Sequence, residues 1–324
     1  MILVTGASGL LGQHLLEALS RQPLPVIGLY NTRKPQVQYP NLTWKQCDLL
    51  DVFEVEEVMR DITQVYHCAA IVSYDPKMRM HMINSNVAAT ANVANVALEA
   101  GVSKLIHVSS IATLGRNAIQ SVGTLISEET YWEESKANSA YAESKFQSEM
   151  EVWRAMAEGL NAAIVNPGII LGEGDWNKGS SKLMQIVYNE FPWFTEGSTA
   201  WVDVKDVAAA MILLMNSDVS EERYILSAGN FPYKEVFTEM ANALGRRPPY
   251  KHASPFMTEI VWRTELLKSR LSGSEATITK ETSRAAQSVV SYDNEKFLKQ
   301  FPEFSYHSLN TTIERMAAAF RRKK

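Results

Sequence analysis

Val4-Thr5-Gly6-Ala7-Ser8-Gly9-Leu10-Leu11-Gly12 decides the fold of this chain. The run that leads into it, Met1–Thr5, is short and apolar, as a buried strand is. The run that leaves it, Leu10–Ser20, sets Leu11, Leu15, Leu16 and Leu19 at helical spacing. Three glycines lie between, as Gly6-x-x-Gly9-x-x-Gly12. In a strand–turn–helix setting the first allows a tight turn. The second lets phosphates approach the main chain, and the third lets the helix pack close to the sheet. The helix N-terminus then faces a pyrophosphate. The stretch reads as a dinucleotide cradle; an ordinary glycine-rich βα turn is the alternative.

Working outward, strands and helices alternate. Val26–Tyr30 and Leu42–Gln46 read as strands, Phe53–Arg60 as a helix and Val65–Ala69 as a strand. Asn84–Ala100 reads as a long helix ended by Gly101, then Lys104–Ser109 as a strand. Ala140–Glu158 reads as a helix ended by Gly159, and Ala162–Asn166 as a strand. This rhythm predicts an α/β chain with a parallel sheet covered on both faces, the Rossmann doubly wound arrangement. After Pro167-Gly168 the rhythm breaks, and residues 169–200 show no clear period. Val204–Met215 (helical) and Arg223–Leu226 (strand) return to the sheet, and from Gly229 the chain is mostly helical between prolines. The expected organisation is residues 1–168 plus 201–228 as a nucleotide-binding domain. Residues 169–200 plus 229–324 form a smaller, mostly helical C-terminal substrate lobe that caps the carboxyl ends of the strands.

The bulk properties exclude several classes. The 324 residues are 46% hydrophobic and 21% charged, ordinary for a globular protein. A net charge of −4 gives no basic field for nucleic acid. No stretch approaches the roughly 20 apolar residues of a membrane helix, and the N-terminus has no basic region typical of a signal peptide. Cys47 and Cys68 sit in no metal or redox motif, which fits a reducing, cytoplasmic location. The six histidines show no ligand spacing, so no metal is expected, and His67 and His107 on apolar strands read as packing groups. Arg321-Arg322-Lys323-Lys324 reads as a solvated end that complements the last helix dipole.

An acidic residue about 20 positions after the cradle would bind the ribose hydroxyls of NAD. Here Leu29-Tyr30-Asn31-Thr32-Arg33-Lys34 has no carboxylate, and Arg33 offers a fork for a 2′-phosphate. NADP is therefore expected in preference to NAD, solvated loop cations being the alternative. Asp48 in Cys47-Asp48-Leu49 is placed to accept from an adenine amino group. Cys68-Ala69-Ala70 offers small residues against which a cofactor can lie. Further along, Tyr141-Ala142-Glu143-Ser144-Lys145 puts a tyrosine and a lysine on one helix face. A tyrosine with an activated hydroxyl beside a nicotinamide makes most of a carbonyl–alcohol redox site. Its ordinary pKa of about 10 is too high for a base near neutrality, and lowering it by ~3 units needs about 4 kcal/mol. A lysine one turn away and an oxidised nicotinamide can supply that in a partly dry pocket.

Thr5-Gly6-x-x-Gly9-x-x-Gly12, Asp48-Leu49, Ala69-Ala70, Asn86-Val87-x-x-Thr90, Ser109-Ser110, Tyr141-x-x-x-Lys145 and Asn166-Pro167-Gly168 together resemble the extended short-chain dehydrogenase/reductase family. Tyr292-Asp293-x-x-Lys296 is similar to a late segment of its dihydroflavonol-reductase-like branch, and Trp201–Ala208 looks like the segment that re-enters the sheet. The resemblance implies Tyr141 as general acid/base and Lys145 as its activator and ribose ligand. It implies Ser110 as carbonyl orienter, because the active serine lies five residues before a glycine, here Gly115; Ser109 is the fallback. Cofactor contacts are implied at Gly6, Ser8, Gly9, Leu10, Gly12, Asn31, Arg33, Asp48, Leu49, Cys68, Ala69, Ala70, Lys145, Pro167, Ile169 and Ile170. Asn86 reads as structural, and a homodimer through helices 84–100 and 140–158 is implied.

Sugar-nucleotide epimerases of this family carry an arginine where this chain reads Ser198-Thr199-Ala200-Trp201. The loop Leu171-Gly172-Glu173-Gly174-Asp175-Trp176-Asn177 is acidic and aromatic, poorly suited to a doubly negative substrate. Trp176, Phe191, Trp193, Phe194, Phe256, Met257 and Trp262 are candidates for a pocket wall or for lobe core. The expected activity is hydride transfer between NADP and a small uncharged carbonyl compound or alcohol. A sugar-nucleotide epimerase or dehydratase and a non-catalytic cofactor-sensing regulator remain as alternatives.

Overall fold

The computed structural model describes residues 1–115, 125–135, 138–272 and 279–323. β1 (Ile2–Thr5) is buried along its whole length, as a strand covered on both faces must be. It is followed by α1 (Leu10–Leu19), β2 (Val26–Tyr30), β3 (Leu42–Gln46), α2 (Val52–Met59) and β4 (Gln64–His67). Next come α3 (Arg79–Glu99), β5 (Lys104–Val108), the two-residue β6 (Leu125–Ile126), α4 (Ala140–Ala157) and β7 (Ala162–Pro167). Then follow β8 (Ile169–Leu171), α5 (Lys182–Tyr188), β9 (Trp193–Phe194), β10 (Ser198–Asp203), α6 (Val204–Met215), β11 (Glu222–Leu226), β12 (Gly229–Pro232) and α7 (Tyr233–Leu244). The chain continues with β13 (Lys251–His252), α8 (Pro255–Ser272), α9 (Lys280–Gln287), β14 (Ser291–Tyr292), α10 (Glu295–Gln300) and α11 (Leu309–Arg322).

Seven strands form one parallel sheet in the order β11-β7-β5-β4-β1-β2-β3. The chain winds outward from β1 to β3, crosses back to β4 and winds outward the other way. The reversal lies between β1 and β4, where Thr5 stands beside His67. Leu11, Leu15, Val207 and Met211 of α1 and α6 cover one face over Ile2, Val4 and Ile106. Val55, Val93, Ala97 and Val152 of α2, α3 and α4 cover the other over Leu3, Val65, Leu105 and Ile164. This is the doubly wound sheet that the alternation predicts. A third apolar cluster joins Trp176, Met184 and Trp201 to Val236, Met240, Ile313 and Phe320. Among the described residues no helix is long and apolar enough to cross a membrane.

Two expectations need correction. The Trp201–Ala208 segment does not re-enter the seven-stranded sheet. Its strand, β10, pairs with β8 and β12 in a separate three-stranded sheet, and β11 makes the re-entry beside β7. The cause lies at Gly168, where a Cβ would stand 2.5 Å from the Ala200 carbonyl oxygen. That close approach holds the chain leaving β7 against β10, outside the main sheet. α3 also starts at Arg79 instead of Asn84, because a 3-10 turn at Pro76–Met78, capped by Asp75, leads straight into it.

Candidate active site

Gly6 ends β1 at φ +62°, where L side chains are strained. A Cβ there would lie 2.6 Å from the Ala69 nitrogen, so the two central strand ends meet backbone to backbone. Gly12 is equally shut in, since its Cβ would lie 2.3 Å from the Gly6 carbonyl oxygen. Gly9 is different. It caps α1 at φ −76°, open to any residue, and a Cβ would meet only the Gly6 oxygen, at 3.2 Å. Chain packing thus requires glycine at 6 and 12. At 9 it leaves open space before the helix N-terminus, with Ser8 and Gly9 exposed and Leu10 half-buried. No acidic residue lies in the first turn of α1, so its positive end is unopposed there.

Thr5 ties the floor of this cradle together. Its Oγ1 accepts the Ala69 N–H at 3.2 Å and meets His67 Nδ1 at 2.8 Å, while His67 Nε2 reaches Thr90 Oγ1 at 3.0 Å. Burial, aided by the Lys145 ammonium, lowers His67 to about 3. The stacked His107 ring is pushed well below its ordinary value by burial, then by Lys145 and His67. Both are neutral packing rings, as their strands suggest. Burial pushes the Cys68 thiol up to about 12 against Lys145, so it packs and does not attack. Ala69 is half-buried and Ala70 exposed. At the end of β2, Asn31, Arg33 and Lys34 are exposed, and neither cation forms a salt bridge among the described residues. Asp48 turns Oδ1 onto its own loop, accepting the Leu50 N–H at 3.0 Å, and Leu49 is half-buried against the α2–α3 layer. Pro167 is buried at the end of β7; Ile169 and Ile170 are half-buried in β8.

Ser110 leaves β5 as the cap of a single 3-10 turn, Ile111–Thr113. Tyr141 and Lys145 sit one turn apart in α4, whose start is capped by Ser139 (to the Ala142 N–H, 3.0 Å) and by Glu281 of α9 (to the Ala140 N–H, 3.1 Å). Tyr141 faces Ser110; burial raises the phenol pKa, and the neighbouring Ser110 hydroxyl works against it. Tyr141 also lies in the first turn of α4, where the helix dipole favours an anion. Lys145 is 3% exposed and donates to the Val108 carbonyl at 2.7 Å. Burial lowers it to about 8, with Glu149 and Cys68 opposing, so it stays mostly protonated at pH 7. Ser109 goes elsewhere: its Oγ donates to Glu149 Oε2 at 2.5 Å. Asn86 is structural, binding both backbone groups of Ile71 (2.7 and 2.9 Å) and Ser144 Oγ (2.9 Å). Two neighbours carry no obvious sequence signal. The Tyr74 ring lies 6.0 Å from that of Tyr141, and Arg223 of β11 reaches Glu149 at 3.1 Å.

A model of the NAD dependent epimerase/dehydratase family matches residues 2–227. The chain belongs to that family. It is 24% identical over 313 residues to sterol demethylase protein B of Methylococcus capsulatus, covering 95% of this chain and 86% of that one. It is 26% identical over 254 residues to a putative dihydroflavonol 4-reductase of Synechocystis, covering 76% and 73%. Its fold resembles MoeE5 in complex with UDP-glucuronic acid and NAD, at 20% identity and a TM-score of 0.78, over 100% of this chain and 99% of that one. The family makes the chain an NAD(P)-dependent enzyme of the extended short-chain dehydrogenase/reductase type.

Within this epimerase/dehydratase frame the loop after β8 differs from its sequence reading. Glu173 is paired with Arg315 of α11 at 2.7 Å, and its carbonyl meets His14 Nε2 of α1 at 2.9 Å. Trp176 is buried against Phe320. Neither side chain is offered to a substrate, so the acidic, aromatic composition of this loop says little about ligand charge. Thr199, Ala200 and Trp201 are buried in β10.

Proposed function

We propose that this protein transfers a hydride between NADP, preferred over NAD, and the carbonyl or secondary alcohol of a small uncharged molecule. The observation that carries the proposal is Tyr141 at the head of α4 facing Ser110, with the buried Lys145 ammonium one turn along the helix. When bound, the nicotinamide supplies or accepts the hydride. The chain does the rest. The open space at Gly9 and the start of α1 receive the pyrophosphate, and Ala69, Ala70, Pro167, Ile169 and Ile170 line the cofactor's path. Arg33 reads the 2′-phosphate, Asp48 the adenine and Lys145 the nicotinamide ribose. Ser110 donates to the substrate oxygen as charge develops there. Tyr141 gives that oxygen its proton in reduction and takes it back in oxidation. Burial opposes the phenolate, while the Ser110 hydroxyl and the α4 dipole favour it. Residues 1–168 plus 201–228 act as the nucleotide half, the remainder as the substrate lobe. An uncharged substrate is supported by the cation-free β10 segment and by a relative named as a reductase.

Replacing Tyr141 by Phe tests the reading. Turnover is expected to fall by about 10²–10⁴-fold while the cofactor Kd stays within a few-fold. Unchanged turnover would refute the mechanism. Net consumption of reduced cofactor distinguishes a reductase from an epimerase or dehydratase, which regenerates it in each cycle.

A further inference from the structure

Glu149 lies one helical turn beyond Lys145 and is 1% exposed. Its two oxygens meet only donors. Oε2 accepts from Ser109 Oγ (2.5 Å), Thr113 Oγ1 (2.9 Å) and Asn166 Nδ2 (2.9 Å). Oε1 accepts from Trp153 Nε1 (3.2 Å) and Arg223 Nη1 (3.1 Å). The partners come from the end of β5 and its 3-10 turn, from β7, from α4 itself and from β11. Asn166 Nδ2 also donates to the Ser110 carbonyl at 3.2 Å, and the single Thr113 hydroxyl proton is shared between that carbonyl (2.9 Å) and Glu149. Arg223 continues outward, its Nε donating to the Glu128 carbonyl at 2.9 Å.

We propose that Glu149 is the positioning residue of the Ser110–Tyr141–Lys145 site. It acts through the serine turn, which it holds in register with α4, and through its charge on Lys145. It touches neither substrate nor cofactor. A buried carboxylate that accepts five hydrogen bonds, one of them from the Arg223 guanidinium, rigidifies the elements it joins. The elements joined here are those that set the Ser110-to-Tyr141 distance. A carboxamide of the same shape fits poorly: at Oε1 its NH2 group would face the Trp153 and Arg223 N–H groups, and at Oε2 it would face the Asn166 NH2 and force the Ser109 and Thr113 hydroxyls to turn and accept.

The charge has a separate consequence. Lys145 is faced by His67 and Cys68 after β4, by His107 of β5 and by Tyr141 and Glu149 of α4. The histidines are neutral and the thiol protonated near pH 7. Glu149 is the carboxylate acting on the Lys145 ammonium among the described residues, and Arg223 and the segment at Glu128 stand beyond it. Glu149→Gln therefore lets Lys145 lose its proton at lower pH.

The proposal rests on the proposed reaction for its kinetic arm only. In Glu149→Gln, kcat is expected to fall by about 10-fold or more with KM little changed. The alkaline limb of the kcat/KM profile should move down by about one pH unit. Arg223→Met keeps the carboxylate; it should lower thermal stability yet leave that limb in place, and Glu149→Asp should restore part of the loss. A crystal structure of Glu149→Gln supplies an arm independent of activity, in which the Ser110 turn moves relative to Tyr141. A folded Glu149→Gln protein with the limb and the Ser110 turn both unmoved overturns the inference. If Tyr141→Phe retains turnover, the proposed reaction fails on its own, and the crystal structure alone decides the role of Glu149. If Glu149→Gln does not fold, Glu149→Asp with an unmoved limb and unmoved Ser110 turn overturns it equally.

Discussion

Gly9→Ala should separate cofactor binding from chain packing, because the three cradle glycines are confined by different things. A Cβ at Gly12 would sit 2.3 Å from the Gly6 oxygen, against 3.4 Å for ordinary contact, so α1 must move by about 1 Å. Overpacking of that kind costs about 1–3 kcal/mol, or roughly 2–6 °C in Tm for a chain of this size. At Gly9 the same atom meets only one oxygen, at 3.2 Å, and the backbone angles suit alanine. Loss of a favoured capping residue and the stiffer unfolded chain oppose one another, leaving a change below about 1 kcal/mol. The new methyl projects into the space before the α1 N-terminus. It would displace a phosphate and break at least one charge-assisted hydrogen bond worth about 1.5–3 kcal/mol, raising Kd about 10- to 150-fold. Thermal melts without ligand and titration calorimetry with NADP and NAD measure the two effects. Gly9→Ala should melt within about 2 °C of the parent and bind weakly; Gly12→Ala should melt lower and bind weakly. Wild-type affinity in Gly9→Ala would show that the phosphates do not lie at this helix end, and the cradle assignment would fall.

Arg33→Ala should raise the Kd for NADP about 10-fold, the loss of one exposed charge-assisted bond, and leave that for NAD unchanged. Equal effects on both cofactors would deny Arg33 any reading of the 2′-phosphate. Ser110→Ala should cut kcat/KM about 10²-fold at nearly constant Tm. Ser109→Ala should instead cost about 1–2 kcal/mol of stability with a smaller kinetic effect, since its hydroxyl serves Glu149. Reversed results in the kinetic and melting assays would exchange the two serines. Arg315→Met should cost about 2–3 kcal/mol by leaving Asp203 buried without its cation. Burial alone would raise the Asp203 carboxyl, but bonds from Arg315, Thr312 and the Lys205 N–H outweigh it and hold it below 3.8. A depressed carboxyl stabilises the fold above its unfolded pKa, and that contribution is lost as pH falls through the folded value. The Arg315→Met deficit in denaturant melts should therefore be full near neutrality and shrink below about pH 3.8; a deficit independent of pH would refute the pairing.

The main sheet was legible because its central strands are short, mostly apolar runs set between turn signals. β1, β5 and β7 are buried residue by residue, and helix spacing on α1 announces the covering layer. The cradle and the Tyr141–Lys145 pair were legible for a related reason: each is local, fixed by spacing within a dozen residues. What could not be read is held by distant partners. Glu173 looked like part of an acidic loop, but Arg315 lies 142 residues further on. Ser109 and Ser110 are adjacent, and the family spacing to Gly115 favoured Ser110; the contact that occupies Ser109 comes from Glu149, 40 residues beyond it. Between β7 and α6, β8 has three residues and β9 two, too short to show a period.

The Arg315 clamp bears on how the protein is made. It joins α11 to Glu173 and Asp203, and through the Glu173 carbonyl and His14 to the helix behind the cradle. At about 5–20 residues per second, a ribosome needs roughly 6–22 s to pass from Asp203 to Arg315, 112 residues further on. Through that interval Asp203 stands without its counter-ion, and the clamp closes only once α11 has emerged. A chain broken off before Arg315 would keep that carboxylate uncompensated, at a cost in stability.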